Sequence, residues 1–230
     1  EHARRHLLSE GLPHRRIYLT GSPMCEVLGY YRKHIDSSNI RKLLDLKRRE
    51  YFVVSLHREE NVDNQSRLEV LIDTLNLLAE KHDFPVIVST HPRTQKRIRD
   101  LNGIELDSRV RYLKPFGFCD YIKLQLEAKL VLSDSGTITE EASMLNLPAI
   151  TIRNVHERPE GMDAGTLIMS GLKQDSVLDS ISVILEQYDR GKRAILSIDD
   201  YENPFASKQI LRVVVSYVDY VNRTVWKVDA

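Results

Sequence analysis

A stretch near the middle of the chain, from Ala128 to Glu141, combines residue types that can bind an anion. The apolar run 130–132 ends at a polar elbow, Ser-Asp-Ser-Gly-Thr at 133–137, and apolar residues with helical spacing follow. This order predicts a strand, a tight turn and the first turn of a helix. A helix start at the carboxyl end of a strand offers unpaired backbone N–H groups and the positive end of the helix dipole. The expected ligand is therefore an anion such as a phosphate.

Four residues around this elbow suit a phosphorylated ligand that also carries a sugar. Ser135 and Thr137 add hydroxyl donors, and Gly136 allows the backbone to approach the ligand closely. Glu141, one turn inside the predicted helix, can accept hydrogen bonds from sugar hydroxyls. The alternative is an ordinary helix cap made by Asp134 or Ser135.

Other motifs that follow predicted strands carry histidine and arginine together: His-Arg-Glu-Glu-Asn at 57–61, His-Pro-Arg at 91–93 and His-Glu-Arg-Pro-Glu-Gly at 156–161. The carboxyl ends of parallel strands share one edge of the sheet, so these motifs are expected beside the elbow. A guanidinium group can bind a phosphate through two hydrogen bonds, and an imidazole can donate one. Three arginines there suit a diphosphate, with Glu141 available for a ribose; the alternative is a set of solvated salt bridges.

The composition is that of an ordinary globular protein. Of 230 residues, 42% are hydrophobic and 29% are charged. Lys plus Arg and Asp plus Glu both number 33, which argues against an electrostatic nucleic-acid binder. The net charge does not exclude a local basic patch.

The two cysteines, Cys25 and Cys119, indicate neither a disulfide framework nor a zinc site, because they are far apart and lack a Cys-x-x-Cys pattern. No metal-ligand spacing and no Gly-x-Ser-x-Gly motif occurs, so we expect no metal and no cofactor. This use of cysteine fits a protein of the reducing cytoplasm. No apolar run predicts a membrane span or a signal peptide. The chain lacks an initiator Met and starts within a predicted helix, so we expect a fragment.

The fold class follows from a regular alternation of elements after Glu50. Helical patterns separate apolar, strand-forming runs at 51–56, 85–88, 110–113, 130–132, 149–152 and 166–169. Strands that alternate with helices predict βαβ units, and nearly continuous apolar strands predict a parallel sheet covered on both faces. We therefore expect a doubly wound, Rossmann-like α/β domain.

The domain organisation is expected to have three parts. Residues 1–48 read as the end of an N-terminal domain and a connector, with a strand at Arg16–Thr20 and a helix at Ser38–Lys47. Residues 49–204 form the Rossmann-like domain. Residues 205–230 carry a long helix whose broad apolar face suits a bridge between two units.

The motifs resemble those of the non-hydrolysing UDP-N-acetylglucosamine 2-epimerases. The resemblance rests on His-Arg-Glu-Glu-Asn at 57–61, Thr-His-Pro at 90–92, Asp-Ser-Gly-Thr-Ile-Thr-Glu-Glu-Ala at 134–142 and His-Glu-Arg-Pro-Glu-Gly at 156–161, and it extends over essentially the whole chain. It implies a two-domain, glycosyltransferase-B-like fold in which the C-terminal half holds UDP. By this resemblance, Ser135 and Gly136 contact the diphosphate, Glu141 the ribose hydroxyls and Arg158 the phosphates.

The resemblance implies roles for five further residues. His57 lies close to the diphosphate at the reacting end of the substrate. Tyr121 stands where the family has an aromatic residue against the uracil, with the backbone near Phe116 close by. Arg58 and His91 correspond to positions around a neighbouring regulatory substrate site.

The reaction that the resemblance implies is inversion at C2 of a UDP-2-acetamido sugar, by elimination of UDP and its re-addition. In the family the acid and base carboxylates belong to the N-terminal domain, which is missing here. We therefore expect weak UDP binding and no turnover by the fragment alone, and a homodimer for the whole protein.

Thr137 departs from the usual Asp-Ser-Gly-Gly and matches the branch that forms UDP-N-acetyl-L-fucosamine, as does the ending Val-Ser-Tyr-Val-Asp-Tyr-Val-Asn-Arg-Thr-Val-Trp-Lys. This favours a 6-deoxy-L-sugar substrate. Two alternatives remain at this point: a glycosyltransferase of the same architecture, and a UDP-sugar-binding module without catalysis.

Overall fold

The protein is described by a computed structural model, which covers residues 1–101, 103–155, 157–188, 192–193 and 195–228, with the backbone alone for residues 59 and 60. The chain divides into two compact units: a larger one, Arg32–Ser197, and a smaller one, Glu1–Tyr31 with Ile198–Ala230.

The larger unit is built on a sheet of parallel strands: β1 Phe52–Leu56, β2 Val86–Thr90, β3 Val110–Leu113, β4 Leu130–Ser133, β5 Ala149–Thr151 and β6 Ile168–Met169. Their order across the sheet is β3-β2-β1-β4-β5-β6, and every paired neighbour is parallel. The chain winds outward from β1 on one side and restarts at β4 on the other, which confirms the predicted doubly wound, Rossmann-like sheet. In such sheets the point between the two halves, here between β1 and β4, is where ligands bind.

The helices are listed here in chain order: α1 His2–Ser9, α2 Met24–Ser37, α3 Ile40–Leu43, α4 Glu59–Val62, α5 Gln65–His82, α6 Pro92–Asp100, α7 Phe118–Glu127, α8 Thr137–Leu145, α9 Pro159–Asp163, α10 Gln174–Gln187 and α11 Ala206–Val221. Among the described residues, no helix is both long and apolar enough to cross a membrane.

The core lies on both faces of the sheet because the strands are apolar at successive positions. Phe52 and Val54 point to one face, where residues of α5 and α10 pack against them. Val53 and Val131 point to the other face, which α7 and α8 cover. Strands β1, β2, β4 and β5 are buried along their whole length, as the continuous apolar runs predict. The polar residues that follow them are left at the carboxyl edge of the sheet.

The predicted helix at Ser38–Lys47 is wrong in length, since only α3, a single turn, forms there. The backbone turns at Asp45, whose φ of +52° is left-handed. The carbonyls that a longer helix would use are taken by side chains: Arg111 Nη1 donates to Leu44 O at 2.7 Å, and Arg41 Nη1 donates to Leu46 O at 2.8 Å.

The predicted strand at Arg16–Thr20 is also wrong. A 3₁₀ turn occupies His14–Arg16, the next residue, Ile17, is extended, and residues 17–20 pair with no strand among the described residues. In the smaller unit, Asn203 Nδ2 donates to Thr20 O at 2.7 Å and Gln209 Nε2 donates to Leu19 O at 3.0 Å. Side-chain amides therefore satisfy carbonyls that a sheet would otherwise bind.

Helix α11 of the smaller unit has the broad apolar surface that its sequence predicts. Leu211, Val215 and Val218 are 62%, 70% and 54% exposed. Tyr217 packs against Tyr18 with ring centroids 5.1 Å apart. The bridging role of this helix stays a prediction.

Candidate functional site

Asp134 ties the end of β1 to the end of β4. Its side chain is fully buried and accepts hydrogen bonds from the backbone N–H groups of His57, at 3.0 and 3.1 Å, and Arg58, at 3.0 Å. Asn61 Nδ2 donates to the same carboxylate at 3.2 Å. Asp134 therefore does not cap the helix that follows it; it fixes the loop after β1 at the switch point of the sheet.

The elbow, residues 133–137, forms the turn between β4 and α8 that the sequence predicts. Gly136 stands at the N-cap position of α8, where no side chain caps the helix by a hydrogen bond. Ser135 Oγ lies 3.0 Å from Thr137 Oγ1, and the N–H of Thr137 approaches Ser135 Oγ at 3.4 Å. Two hydroxyl groups thus lie beside the first turn of a helix, in the arrangement expected for an anion site.

Three arginine side chains gather around the elbow, and each is paired with a carboxylate. Arg58 Nη2 and Arg153 Nη2 both donate to Glu157 Oε1, at 3.0 and 2.9 Å. Arg158 Nη1 lies 2.6 Å from Glu140 Oε1. The hydrogen bonds with Arg153 and then Arg58 hold the pKa of Glu157 below its ordinary value. The predicted cations Arg58 and Arg158 are thus brought together at one place.

Arg153 is a site residue that the sequence reasoning missed. Its side chain is 5% exposed, and its Nε is buried without a hydrogen-bond partner among the described residues. The signal was present in the sequence, because Arg153 follows the apolar run of β5 as the other candidate residues follow theirs.

A close backbone approach fixes α9 against α8 and so positions Arg158. A Cβ built on Gly161 would lie 2.1 Å from Thr139 Cγ2, so only glycine fits there. The cavity between the elbow, Arg153 and Arg158 measures about 10 Å³, which is room for about one water molecule.

A buried polar cluster lies one helical turn into α8. Glu141 is 6% exposed, and Gln125 Nε2 of α7 donates to its Oε2 at 2.8 Å. The hydroxyl of Tyr121 and Oε1 of Gln125 are also buried, and neither has a hydrogen-bond partner of normal geometry among the described residues. Burial, and then the nearby charge of Glu141, raises the pKa of Tyr121. Unsatisfied buried polar atoms of this kind indicate a place for a ligand that can hydrogen-bond.

Burial also raises the pKa of Glu141 above its ordinary value of 4.5, although hydrogen bonds with Gln125 and Thr137 oppose the shift. At pH values between the ordinary pKa of Glu141 in the unfolded chain and its raised pKa in the folded chain, the folded chain binds more protons than the unfolded chain. The stability of the folded chain therefore falls as the pH rises through that window. We expect Glu141→Gln to lack this fall and to gain stability relative to the wild type as the pH increases. Urea unfolding from pH 4 to pH 8 measures the difference.

The exposed carboxyl of Glu186 on α10 provides the control for that experiment. Glu186→Gln, measured in parallel, gives the effect of removing one exposed carboxyl from the surface. A pH-independent difference for Glu141→Gln would show that the Glu141 carboxyl is not held in its neutral form by burial.

The two predicted histidines at strand ends lie at the carboxyl edge. His57 follows β1 and its side chain is exposed. His91 is the N-cap residue of α6, and its Nδ1 accepts a hydrogen bond from the N–H of Arg93 at 3.3 Å. Arg93 forms an ion pair with Asp63, so the structure does not bring this third predicted cation to the elbow.

The predicted aromatic pair, Phe116 and Tyr121, packs partly buried on the core face that α7 and α8 cover. Phe116 precedes α7 and Tyr121 lies in its first turn. His156 lies outside the described residues.

The model of one protein family, UDP-N-acetylglucosamine 2-epimerase, matches residues 1–215. The chain belongs to this family. The UDP-N-acetylglucosamine 2-epimerase from Rickettsia bellii is 52% identical, with a TM-score of 0.90 over 98% of this chain and 60% of that chain. The UDP-GlcNAc 2-epimerase from Methanocaldococcus jannaschii, in a crystal structure with UDP-GlcNAc and UDP, is 29% identical with a TM-score of 0.82 over 93% of this chain and 59% of that chain.

The curated sequence of the M. jannaschii UDP-N-acetylglucosamine 2-epimerase is 29% identical over 226 residues, which make up 96% of this chain and 59% of that protein. The chain thus spans about three fifths of the length of the epimerases that it matches. These findings confirm the resemblance and the predicted fold class, a Rossmann-like half of a glycosyltransferase-B-like architecture.

Proposed function

We propose that this chain is the UDP-binding part of a nucleotide-sugar 2-epimerase, an isomerase that inverts C2 of a UDP-2-acetamido sugar. The observation that carries the proposal is the pairing of two subsites at the carboxyl edge. The elbow and its arginines form an anion site, and the buried cluster around Glu141 lies one helical turn, about 5.4 Å, further along α8. UDP presents a diphosphate and ribose hydroxyls at neighbouring positions, so one ligand can use both subsites.

The residues have distinct roles in this proposal. Ser135, Gly136 and Thr137 hold the diphosphate with the first N–H groups of α8, and Arg158 binds it as a cation. Glu141 accepts hydrogen bonds from the ribose hydroxyls, since it already accepts one from Gln125 inside the cluster.

The substrate site is completed by an aromatic side chain, a stretch of backbone and an imidazole. Tyr121 and the backbone near Phe116 border the uracil. His57 lies at the reacting end of the sugar. Arg58 and His91 border a neighbouring regulatory site. Of these two residues, Arg58 contacts the elbow, because its Nε donates to Asp134 O at 3.0 Å.

In the proposed reaction, the C2 proton is removed and the bond between C1 and the diphosphate oxygen breaks, which gives a 2-acetamidoglycal and free UDP. Negative charge grows on the leaving diphosphate as this bond breaks. The guanidinium of Arg158 and the N-terminus of α8 stabilise that charge. UDP then returns to C1 while C2 receives a proton on the opposite face.

The general base is proposed to lie in the part of its relatives' length that this chain does not span. General base catalysis needs a group within hydrogen-bond reach of the proton it removes, and we assign no such group here. On this basis the 230-residue chain binds UDP weakly and does not turn over, and a longer, dimeric, cytoplasmic protein carries the activity.

The sugar is proposed to be the 6-deoxy-L-talose derivative that yields UDP-N-acetyl-L-fucosamine, for surface polysaccharide synthesis. The support is the resemblance of Asp-Ser-Gly-Thr-Ile-Thr-Glu-Glu at 134–141, and of the ending at 215–227, to the branch that forms this sugar.

The function is tested with a full-length protein that includes the proposed N-terminal domain. This protein is incubated in D₂O with UDP-N-acetylglucosamine or with the UDP-linked 6-deoxy-L-talose derivative. We expect inversion at C2 with one solvent deuteron incorporated there, and release of the free glycal during turnover. The 230-residue chain alone is the matched control and should give neither. Transfer of the sugar to an acceptor without glycal would identify a glycosyltransferase instead, and inversion of UDP-N-acetylglucosamine alone would contradict the 6-deoxy-L-sugar assignment.

A further inference from the structure

Glu157 makes a bridge that neutralises two arginines at the elbow. A single carboxylate oxygen, Oε1, accepts from Arg58 Nη2 at 3.0 Å and from Arg153 Nη2 at 2.9 Å. Arg153 is almost fully buried, and a buried guanidinium without a counter-ion is costly. The Glu157 carboxylate therefore provides the negative charge that balances the buried guanidinium of Arg153.

The second oxygen of Glu157 lies over the start of α8. A Cβ built on Gly136 would be 3.8 Å from Glu157 Oε2 and 3.5 Å from Arg158 Nε. The carboxylate thus lies close to the N-cap glycine, near the helix end where the dipole favours a negative charge. With it in place, the cavity beside the elbow measures only about 10 Å³, too little for a phosphate group.

Glu157 and Glu140 both pair with arginines here, but they differ in how firmly they are held. The Glu140 side chain is 8% exposed and lies within α8, so it is fixed to the helix. The Glu157 side chain is 59% exposed and lies outside the helices. The exposed Glu157 carboxylate is readily rehydrated, so it can turn into solvent once another anion pairs with the buried Arg153 guanidinium.

We propose that Glu157 is an internal counter-ion that takes the place of a ligand phosphate between Arg58 and Arg153 and is displaced when a diphosphate binds. The inference rests on the proposed function, because it names what the incoming diphosphate competes with. It also makes Arg153 a direct phosphate ligand, since its unpartnered Nε and its freed Nη2 would both face the space that Glu157 leaves.

The test compares UDP and inorganic pyrophosphate binding to the wild-type chain and to Glu157→Gln by calorimetry at low salt. A neutral amide competes less well for the two guanidinium groups, so both ligands should bind about 3- to 10-fold more tightly to the variant. Glu186→Gln, which removes an exposed charge on α10, should leave both affinities unchanged. Circular dichroism confirms that all three proteins are folded.

The outcomes separate this inference from the proposed function. If UDP binds the wild type but Glu157→Gln binds it equally or more weakly, Glu157 positions the arginines for the ligand and the inference is overturned while the function stands. If the variant gains affinity for pyrophosphate but binds UDP no more tightly than pyrophosphate, the counter-ion role is supported and the nucleotide function fails. If neither ligand binds either protein, both are overturned.

Discussion

Asp134→Ala should lower the free energy of unfolding by about 3–5 kcal/mol, one of the largest effects of any single change in this chain. The carboxylate is fully buried and is the acceptor for two backbone N–H groups and the side chain of Asn61. Alanine leaves both backbone N–H groups without this acceptor at the switch point of the sheet, and Asn61 Nδ2 keeps only the carbonyl of Ile152, at 3.4 Å. Urea unfolding at neutral pH, followed by circular dichroism, measures the loss.

Asp36→Ala is the matched control, because Asp36 is a half-exposed carboxylate paired with Arg32 on the surface of α2. Its removal should change stability by less than about 1 kcal/mol. Equal effects of the two substitutions would show that Asp134 does not hold the loop after β1 against the end of β4.

Arg158→Ala should weaken UDP binding by about 10- to 100-fold. A charge-assisted hydrogen bond contributes about 1.5–3 kcal/mol, and the Arg158 guanidinium lies beside the N-cap of α8, where the diphosphate is proposed to sit. Calorimetric titration of UDP measures the change, and thermal unfolding checks that the variant, whose Glu140 has lost its cation, is still folded.

Arg48→Ala serves as the control for that titration. Arg48 is exposed and precedes β1, at the opposite end of the sheet from the elbow. Its UDP affinity should match that of the wild type within about twofold. A folded Arg158→Ala that binds UDP as tightly as Arg48→Ala would remove Arg158 from the proposed site.

The sheet could be predicted from the sequence because its signals are local. Each strand is a short apolar run between turn residues, and each helix has its own apolar period, so the order of elements follows without knowledge of any long-range contact. The two errors occur where distant side chains decide the backbone. Arg111, far along the chain, holds the Leu44 carbonyl, and Asn203 holds Thr20.

The candidate site was predictable in its location but only partly in its contacts. Strand-end residues must share one edge of a parallel sheet, so Arg58, Ser135 and Arg158 were expected together and are found together. The role of Asp134 was not predictable from its position. An aspartate between a strand and a helix normally caps that helix, whereas Asp134 accepts hydrogen bonds from the loop after β1. The pairing of Arg153 with Glu157 depends on the path of the loop after β5, which no periodic pattern encodes.

UDP is proposed to lie at the carboxyl edge with its diphosphate on the first turn of α8. The bound position of UDP, determined by crystallography of this chain with the nucleotide, tests that claim most directly. We expect diphosphate oxygens at hydrogen-bond distance, about 2.7–3.2 Å, from the backbone N–H groups at 136–138 and from Arg158, with the ribose hydroxyls on Glu141. UDP bound elsewhere on the larger unit, with the elbow still occupied by Glu157, would contradict it.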